Sequence, residues 1–380
     1  MKLLISAGDL SGDFHGSLLI KAFQKREPNI AFAVIGGERL KESGGELLAD
    51  SSSWSSVGIF DSIKKAPSVL LAYQILKRKL KSIKLDAAIL IDCPAFNLPL
   101  ARFLFKSGVP CYYFFPPSSW KKDLNRAKQV GKWIKLVIAP FQETASLYKK
   151  AGIPVFFSGH PLIDIIPDTK LNSTMQIFKK LSLDPEKPVI GLFPGSRDQE
   201  IHYLLPVLLK TAKNLIKKHP DLQFALPAAS KNLKRQILSQ IAKFNLPLVA
   251  AENSNYDILR ISKVLILASG TATLEAALYE KPMIIIYKLS PLTWKLQKPF
   301  LRGASFAGLP NLLAGKRIVP ELIQDSANSE NIFNEMNKIL TDESYAAAMK
   351  KELRQIRSYL GTPGVMERVA NLILETLSHA

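Results

Sequence analysis

The sequence contains few of the residues that build disulfide frameworks or metal clusters. Its 380 residues include two cysteines, Cys93 and Cys111, and both lie inside apolar stretches. We therefore interpret them as small buried hydrophobic side chains. No spacing of cysteine and histidine residues resembles a zinc site, and we expect neither a metal nor another cofactor.

Long apolar segments are also missing. No run of residues reaches the length that a membrane span requires. Asp9 and Asp13 stand where a signal peptide would need apolar residues. The sequence therefore predicts a cytoplasmic protein that contacts a membrane only from its surface.

Positive charge is in clear excess. The chain has 51 Lys and Arg residues against 32 Asp and Glu residues, which gives a net charge of +19. Such a surplus favours a polyanionic partner: a nucleic acid, an anionic lipid or a phosphorylated substrate. Because the basic residues are spread over many predicted helices and no known nucleic-acid module occurs, we do not expect nucleic-acid binding.

The order of apolar segments predicts an α/β protein with two doubly wound, Rossmann-like domains that face each other across a cleft. A chain of 380 residues with 47% hydrophobic residues is long enough for two cores. Short buried strands alternate with helices in both halves. We predict a first domain at 1–165 and a second at 166–362, with the terminal helix at 363–380 packing back on the first.

The clearest ligand-type segment is residues 264–289. A strand at 264–267 is followed by a turn of small residues (Ser269, Gly270 and Thr271), a helix at 272–279 and a second strand at 283–287. The free backbone N–H groups and positive dipole of such a helix tip suit a phosphate. Glu275 suits a pair of neutral hydroxyls such as those of a ribose. The alternative is an ordinary capped turn.

Two further loops of the second half are candidates for ligand binding. Ser196 and Arg197 follow a strand at 189–193, and Arg197 can grip a diphosphate with its forked guanidinium. The alternative is a surface ion pair with Glu200. Asn311 lies in a predicted apolar loop at 308–315, where it either binds a sugar or phosphate or simply closes a turn.

Carboxylates dominate the candidate loops of the first half. The glycine spacing after the first strand is not a dinucleotide fingerprint, and Asp9 and Asp13 would repel a pyrophosphate. Asp92 follows a buried strand at 87–91, where open α/β sheets bind ligands. The alternative for Asp92 is a cap on the following turn. We interpret His160, which precedes Pro161, as a cap at the domain crossing.

A basic segment of the first half has amphipathic character. The apolar loop at 57–60 is followed by Lys64, Lys65 and further alternating apolar and cationic residues up to Lys81. One interpretation is a surface that contacts anionic lipid. The other is a domain helix with a solvated basic face.

Eight motifs resemble those of the lipid-A-disaccharide synthase family, and they occur in the family's order. They are SAGDLSGDFHG, IDCPAFN, PPSSW, GHPLID, LFPGSRDQEI, ASGTATLEAAL, YKLSPLTWKL and LPNLLAGKRIVPELIQ. The resemblance implies a glycosyltransferase of GT-B architecture. It implies that UDP-2,3-diacylglucosamine and 2,3-diacylglucosamine 1-phosphate are joined into a β-1,6 disaccharide. It also implies a peripheral protein on the cytoplasmic face of the inner membrane, and it leaves homo-oligomer formation open.

The resemblance assigns roles to individual residues. Asp92 matches the family's carboxylate and is the expected base, with Asp13 and Asp9 in reserve. The resemblance implies that the first domain faces the acceptor and the membrane and that the second binds the UDP-sugar. The expected nucleotide site consists of Ser196, Arg197, Ser269, Gly270, Thr271, Glu275 and Asn311.

The sequence departs from the family pattern at three places: Asp9 replaces Glu, Ala95 replaces a second Asp, and Lys121-Lys122 replaces Ala-Trp. A UDP-N-acetylglucosamine 2-epimerase, which shares the architecture, is the alternative enzyme.

Overall fold

The structure is a computed structural model that describes residues 1–51, 73–117, 123–166, 174–244, 246–291, 293–295 and 306–378. The chain divides into a first unit, Met1–Asp164 with Tyr359–Ala380, and a second unit, Ile165–Ser358. The apolar loop at 57–60, Lys64 and Lys65 lie outside the described residues. The substrate roles that the sequence analysis gives to the two halves stay predictions.

The first unit contains a parallel sheet of seven strands in the order β3-β2-β1-β4-β5-β6-β7. The strands are β1 Lys2–Ala7, β2 Ala31–Gly36, β3 Glu46–Asp50, β4 Ala87–Ile91, β5 Cys111–Phe114, β6 Leu136–Ala139 and β7 Val155–Phe157. The central strands are buried on both faces, as apolar runs in parallel sheets are. The strand order reverses between β1 and β4, and ligands bind at such a switch point.

Helices cover the first sheet. They are α1 Leu10–Arg26, α2 Glu38–Glu42, α3 Pro94–Lys106, α4 Leu124–Gly131, α5 Gln142–Lys150 and α6 Leu162–Ile165. Residues 73–81 are also helical. Helix α3 begins inside the motif around Asp92, because Pro94 supplies a fixed φ and lacks an N–H that the first turn would leave unpaired.

The second unit contains a parallel sheet of six strands in the order β10-β9-β8-β11-β12-β13. The strands are β8 Val189–Phe193, β9 Gln223–Ala228, β10 Leu248–Glu252, β11 Ser262–Ala268, β12 Met283–Tyr287 and β13 Glu321–Ile323. Here the order reverses between β8 and β11. The sheet therefore places the loops after β8 and β11 side by side at its own switch point.

Helices also cover the second sheet. They are α7 Thr174–Leu181, α8 Asp198–Lys218, α9 Lys231–Ile241, α10 Asn255–Ile261, α11 Thr271–Leu278, α12 Leu309–Ala314, α13 Ser329–Thr341 and α14 Glu343–Gln355. Helix α12 corrects the prediction of a loop at 308–315. Gly308 caps its start, Pro310 stands in its first turn, and Gly315 ends it in the left-handed conformation with φ of 65°.

The chain ends in helix α15, Val365–Ser378, which packs on α1 of the first unit. Its Thr376 forms a hydrogen bond of 2.7 Å with the hydroxyl of Tyr112. Asp164 accepts hydrogen bonds from the backbone nitrogens of Gly364 and Val365 at the start of the helix. Among the described residues, no helix has the length and apolar composition that a membrane crossing needs.

Candidate active site

Asp92 lies at the switch point of the first sheet, in a backbone conformation that side chains rarely adopt. Asp92 and Cys93 have φ values of 48° and 45°. Left-handed backbone costs roughly 1–2 kcal/mol per residue for L-amino acids. The side chain of Asp92 is exposed, and its Oδ1 accepts a hydrogen bond of 2.8 Å from the Cys93 nitrogen. The sheet thus presents a carboxylate to solvent on a strained turn, where such strain often marks function.

A buried amide holds this turn in place. Asn97 is fully buried, and its Nδ2 donates to the carbonyl oxygens of Asp92 at 2.8 Å and Ile91 at 3.0 Å. Its Oδ1 accepts from the hydroxyl of Ser6 at 2.7 Å. Tyr113 donates a further hydrogen bond of 2.9 Å to the Asp92 carbonyl. The sequence analysis gave Asn97 no role, although it quoted the motif that contains it.

The neighbouring loop packs tightly against this turn. Ala7 pairs with Ile91 across β1 and β4, so Gly8 and Asp92 leave the sheet side by side. A Cβ atom at Gly8 would overlap the side chain of Cys93. The space beside Gly8 is therefore filled by the Cys93 side chain, which favours a residue without a Cβ at this position.

The side chains of Asp9 and Asp13 accept hydrogen bonds from backbone nitrogens. Asp9 caps α1 by accepting a hydrogen bond of 2.7 Å from the Gly12 nitrogen. Asp13 is 4% exposed and accepts from the backbone nitrogens of Gly37, Arg39 and Leu40 at 2.6, 3.1 and 3.3 Å. Both oxygens of Asp13 are thus occupied at the start of α2. These hydrogen bonds give both residues a structural role, and the reserve-base roles of Asp13 and Asp9 stay predictions.

Two buried histidines lie in the same unit, and the sequence analysis did not identify them as a pair. The His15 ring stacks on Phe115 at 4.8 Å and meets the His160 ring edge-on at 5.8 Å. Burial lowers the pKa of His15 to about 4, and burial together with the charge of His15 lowers the pKa of His160 well below its usual value. Both rings are therefore neutral at pH 7, and His160 Nδ1 accepts from the Leu162 nitrogen at 3.2 Å.

In the second unit, Arg197 begins helix α8 directly after β8. Glu200 Oε2 accepts hydrogen bonds from the nitrogens of Ser196 at 2.8 Å and Arg197 at 3.2 Å. Gly195 has φ of 107°, and a Cβ there would overlap Glu200. The Arg197 side chain is 54% exposed and its guanidinium lies 3.7 Å from Glu200 Oε1, so the ion pair considered in the sequence analysis is present. Such exposed pairs contribute about 0–1 kcal/mol, so an anionic ligand can displace the carboxylate.

The tip of helix α11 lies beside this loop. Leu267 of β11 pairs with Phe193 of β8, so the segments that follow start from adjacent strands. Gly270 is exposed at the start of the helix, and in the part of the chain that the structure describes no side-chain hydrogen bond caps the tip. The Ser269 hydroxyl donates to the Ala307 carbonyl at 2.7 Å. The tip therefore offers the backbone N–H groups and dipole that bind an anion.

Glu275 lies one turn into the same helix and is partly buried. The hydroxyl of Tyr256 donates to its Oε1 at 3.2 Å. A carboxylate held in this way, one turn from an anion seat, suits the hydroxyls of a sugar better than a phosphate.

The side chain of Asn311 is enclosed by the protein. It is fully buried, and its Oδ1 accepts from the nitrogens of Ile318 at 2.7 Å and Val319 at 3.0 Å. Its Nδ2 donates to the Val319 carbonyl at 2.9 Å and to Glu321 Oε1 at 2.8 Å. Its hydrogen-bonding capacity is therefore used within the protein. These contacts favour the alternative that Asn311 closes a turn, and its binding of sugar or phosphate stays a prediction.

Asn311 instead supports the helix tip through Glu321, a residue that the sequence analysis missed. Glu321 is 7% exposed and accepts from the nitrogens of Gly308 at 2.9 Å and Ala307 at 2.8 Å. Ala307 in turn accepts the hydroxyl of Ser269. A chain of hydrogen bonds thus runs from Asn311 to the turn at Ser269. Asn311 and Glu321 stand in the same family motif, LPNLLAGKRIVPELIQ, and this shared motif was the sequence signal that the two residues act together.

Sequence comparisons match the chain to one family over nearly its whole length. The family profile described as lipid-A-disaccharide synthetase matches residues 3–372. The lipid-A-disaccharide synthase of Geobacter sulfurreducens is 38% identical over 376 residues, covering 99% of this chain and 97% of the relative. The lipid-A-disaccharide synthase of Syntrophus aciditrophicus is 39% identical over 375 residues, covering 98% and 97%.

Structural comparison addresses the fold. A crystal structure of UDP-GlcNAc 2-epimerase from Neisseria meningitidis bound to UDP-GlcNAc is similar with a TM-score of 0.66 at 15% identity, covering 100% of both chains. At this identity the likeness concerns the fold alone. The prediction of two Rossmann-like domains of GT-B type is confirmed.

Proposed function

The chain belongs to the lipid-A-disaccharide synthase family, and from this premise we propose that it joins UDP-2,3-diacylglucosamine to 2,3-diacylglucosamine 1-phosphate, with release of UDP. The protein is thus a glycosyltransferase of lipid A biosynthesis that uses a sugar nucleotide and a lipid-linked substrate. The exact acyl substrates, the β-1,6 linkage and the inversion at the sugar carbon are parts of the proposal.

The observation that carries the proposal is the pairing of an exposed arginine with an uncapped helix tip at the switch point of the second sheet. In the proposal, Arg197 exchanges its weak pair with Glu200 for the diphosphate of UDP. The backbone nitrogens at Gly270 and Thr271 bind the same diphosphate, and Ser196 and Ser269 border it. Glu275 accepts the ribose hydroxyls. The support is that the two loops start from adjacent strands.

These groups also account for leaving-group stabilisation. Negative charge grows on the β-phosphate as the bond to the sugar breaks, and the sugar becomes oxocarbenium-like. A guanidinium and a helix N-terminus, already oriented, stabilise that charge without reorganisation. Removing one such donor typically lowers kcat by 10²–10³-fold.

Asp92 is the proposed base. The acceptor's 6-hydroxyl attacks the face opposite to UDP, which turns an α-linked donor into a β-linked product, and a carboxylate takes its proton. Asp92 is exposed at the end of β4, whereas Asp13 is buried and filled with backbone hydrogen bonds. Asn97 and Tyr113 hold the Asp92 turn as positioning residues.

The lipid-linked substrates place the proposed reaction at a membrane surface. We propose a peripheral association with the inner face of the inner membrane, supported by the net charge of +19. An anionic bilayer attracts such a surface. Liposome sedimentation with anionic and with neutral lipid tests this part, and equal binding to both would contradict it.

The epimerase alternative rests on fold alone. The chain is 15% identical to the epimerase and 38% identical to a synthase of its own family. Incubation with soluble UDP-N-acetylglucosamine and a search for the manno isomer would reveal epimerisation, which we do not expect.

The deciding experiment is an assay with both acylated substrates, followed by mass spectrometry of the product. We expect a disaccharide 1-phosphate and UDP from the wild type, and a turnover lowered by about 10²–10⁴-fold in Asp92→Asn. The matched control is Asp221→Asn, an exposed carboxylate that precedes β9 at the opposite end of its sheet from the switch point. Turnover of Asp92→Asn within roughly tenfold of wild type would remove Asp92 as the base.

A further inference from the structure

A groove of about 880 Å³ lies on the helical layer of the first unit. The helix at 73–81, helices α3 and α4, and Trp133 form its walls. Along α3 the lining residues run from Leu98 in the second turn to Lys106 at the end of the helix. The groove is thus lined by helix surfaces and not by the strand ends that present Asp92.

The groove concentrates positive charge. Among its described lining residues, four are cationic and one, Asp123, is acidic; the cations are Lys77, Arg102, Lys106 and Arg126. Asp123 already caps α4 by accepting from the Arg126 nitrogen at 3.1 Å. Within the described ranges, none of the four cationic groups forms an ion pair. Like charges that converge on one groove favour an anionic occupant.

Aromatic rings alternate with these cations. Lys77 Nζ lies 4.4 Å from the ring centre of Tyr73, and Arg102 Cζ lies 5.7 Å from that of Trp133. Lys77 also lies 5.5 Å from the ring of Phe103. Each of these rings therefore has a cation against it. Nucleic-acid bases stack on free ring faces, so this arrangement argues against a nucleotide.

The groove also has an apolar part and one available hydroxyl. Leu98, Pro99 and Val130 line it together with the rings. The Tyr73 hydroxyl is buried without a hydrogen-bond partner among the described residues, and burial raises its pKa to about 12. It therefore remains a protonated donor at neutral pH. A buried donor without a partner is costly unless a ligand or water satisfies it.

We propose that this groove binds a single phosphorylated lipid. The four cations hold its phosphate, and its proximal acyl carbons lie against Leu98, Pro99 and the rings. The ligand needs both a phosphate and an acyl chain. Free phosphate would make no contact with the apolar residues of the groove, and a neutral lipid would leave its cations without a counter-charge. The inference does not depend on the proposed transfer reaction, since no residue of the groove belongs to the proposed catalytic or nucleotide sites.

The test is calorimetric titration of the full chain with dihexanoyl phosphatidic acid below its micelle concentration. Parallel titrations use inorganic phosphate, which has the charge without acyl chains, and dihexanoyl phosphatidylcholine, which has the acyl chains without the net charge. The groove variant is the double substitution Arg102→Gln with Lys106→Gln. Its control, Lys149→Gln with Lys150→Gln, removes the same charge from two exposed residues at the end of α5, outside the groove. Thermal unfolding verifies that both variants fold.

We expect phosphatidic acid to bind the wild type and the control alike, and to bind the groove variant at least roughly tenfold more weakly, since hydrogen bonds to charged groups have that strength. Equal weakening in groove variant and control would show non-specific charge attraction and overturn the inference. Equal affinity for inorganic phosphate and phosphatidic acid would overturn its lipid part. Binding to phosphatidic acid vesicles without binding of the monomer would show a bilayer surface instead of a groove.

Discussion

Acid should destabilise the first unit through its buried histidine pair. The pKa of His15 is about 4 in the folded protein because of burial, against 6.5 in an exposed histidine. Below pH 6.5 His15 binds a proton in the unfolded chain but stays neutral in the folded chain. The free energy of unfolding therefore falls as the pH falls from 6.5 towards 4. At about 1.4 kcal/mol for each pKa unit, His15 alone removes about 3 kcal/mol over this range. His160 acts in the same direction.

The assay is urea unfolding at a series of pH values between 7 and 4.5. Tryptophan fluorescence reports mainly the first unit, because Trp54, Trp120 and Trp133 lie within Met1–Asp164 and Trp294 lies outside it. In the variant His15→Phe, whose ring can keep the stack on Phe115, we expect the pH dependence between 6.5 and 5 to be smaller by about 1.4 kcal/mol per pH unit.

The control for this prediction is His202→Gln, an exposed histidine of α8 in the second unit. It should leave the pH dependence unchanged. A wild-type stability that stays flat between pH 6.5 and 5, or an unchanged slope in His15→Phe, would refute the reasoning about the buried pair.

Three further substitutions separate structural from functional roles. Asp13→Asn weakens the three hydrogen bonds that Asp13 accepts from backbone nitrogens at the start of α2, and it should lower the free energy of unfolding in urea by about 1–3 kcal/mol. A large loss of turnover at full stability would mean that Asp13 is the base. Asn311→Ala removes one of the three donors to the Glu321 carboxylate and leaves two backbone nitrogens without their acceptor, so the free energy of unfolding should fall by more than about 1 kcal/mol together with UDP affinity. A tenfold loss of affinity at unchanged stability would indicate direct contact with UDP. Arg197→Gln should lower turnover in stopped assays by about 10²–10³-fold, and it should leave the free energy of unfolding in urea unchanged within roughly 0.5 kcal/mol. A variant that unfolds more easily but turns over normally would show that the role of Arg197 is structural.

The strands of both sheets and the positions of the loops between them could be predicted well from the sequence. Apolar runs such as Val189–Phe193 and Met283–Tyr287 were predicted at their observed bounds, because parallel strands buried on both faces have little polar interruption. The turn from Ser269 to Thr271 was predicted from small residues between a strand and a helix. The reversal of strand order that puts Arg197 beside it was not readable, since it depends on pairing between distant segments.

The roles of polar side chains were harder to predict. Asp13, Asp92 and Asn311 all stand in segments that the sequence analysis treats as loops, and the sequence does not show which way each side chain turns. Asp13 and Asn311 turn inward and accept hydrogen bonds from backbone nitrogens, whereas Asp92 is exposed and only its backbone carbonyl accepts from Asn97 and Tyr113. The segment at 308–315 was predicted to be an apolar loop, yet a proline in the first turn lets residues 309–314 form a helix.

The central claim is that the second unit holds UDP between Arg197 and the tip of α11. A crystal structure of the protein with UDP tests it most directly. We predict the diphosphate within hydrogen-bonding distance of the Arg197 guanidinium and of the backbone nitrogens at Gly270 and Thr271, with the ribose on Glu275. Density for UDP at the strand ends of the first sheet, or elsewhere away from Arg197, would contradict the claim.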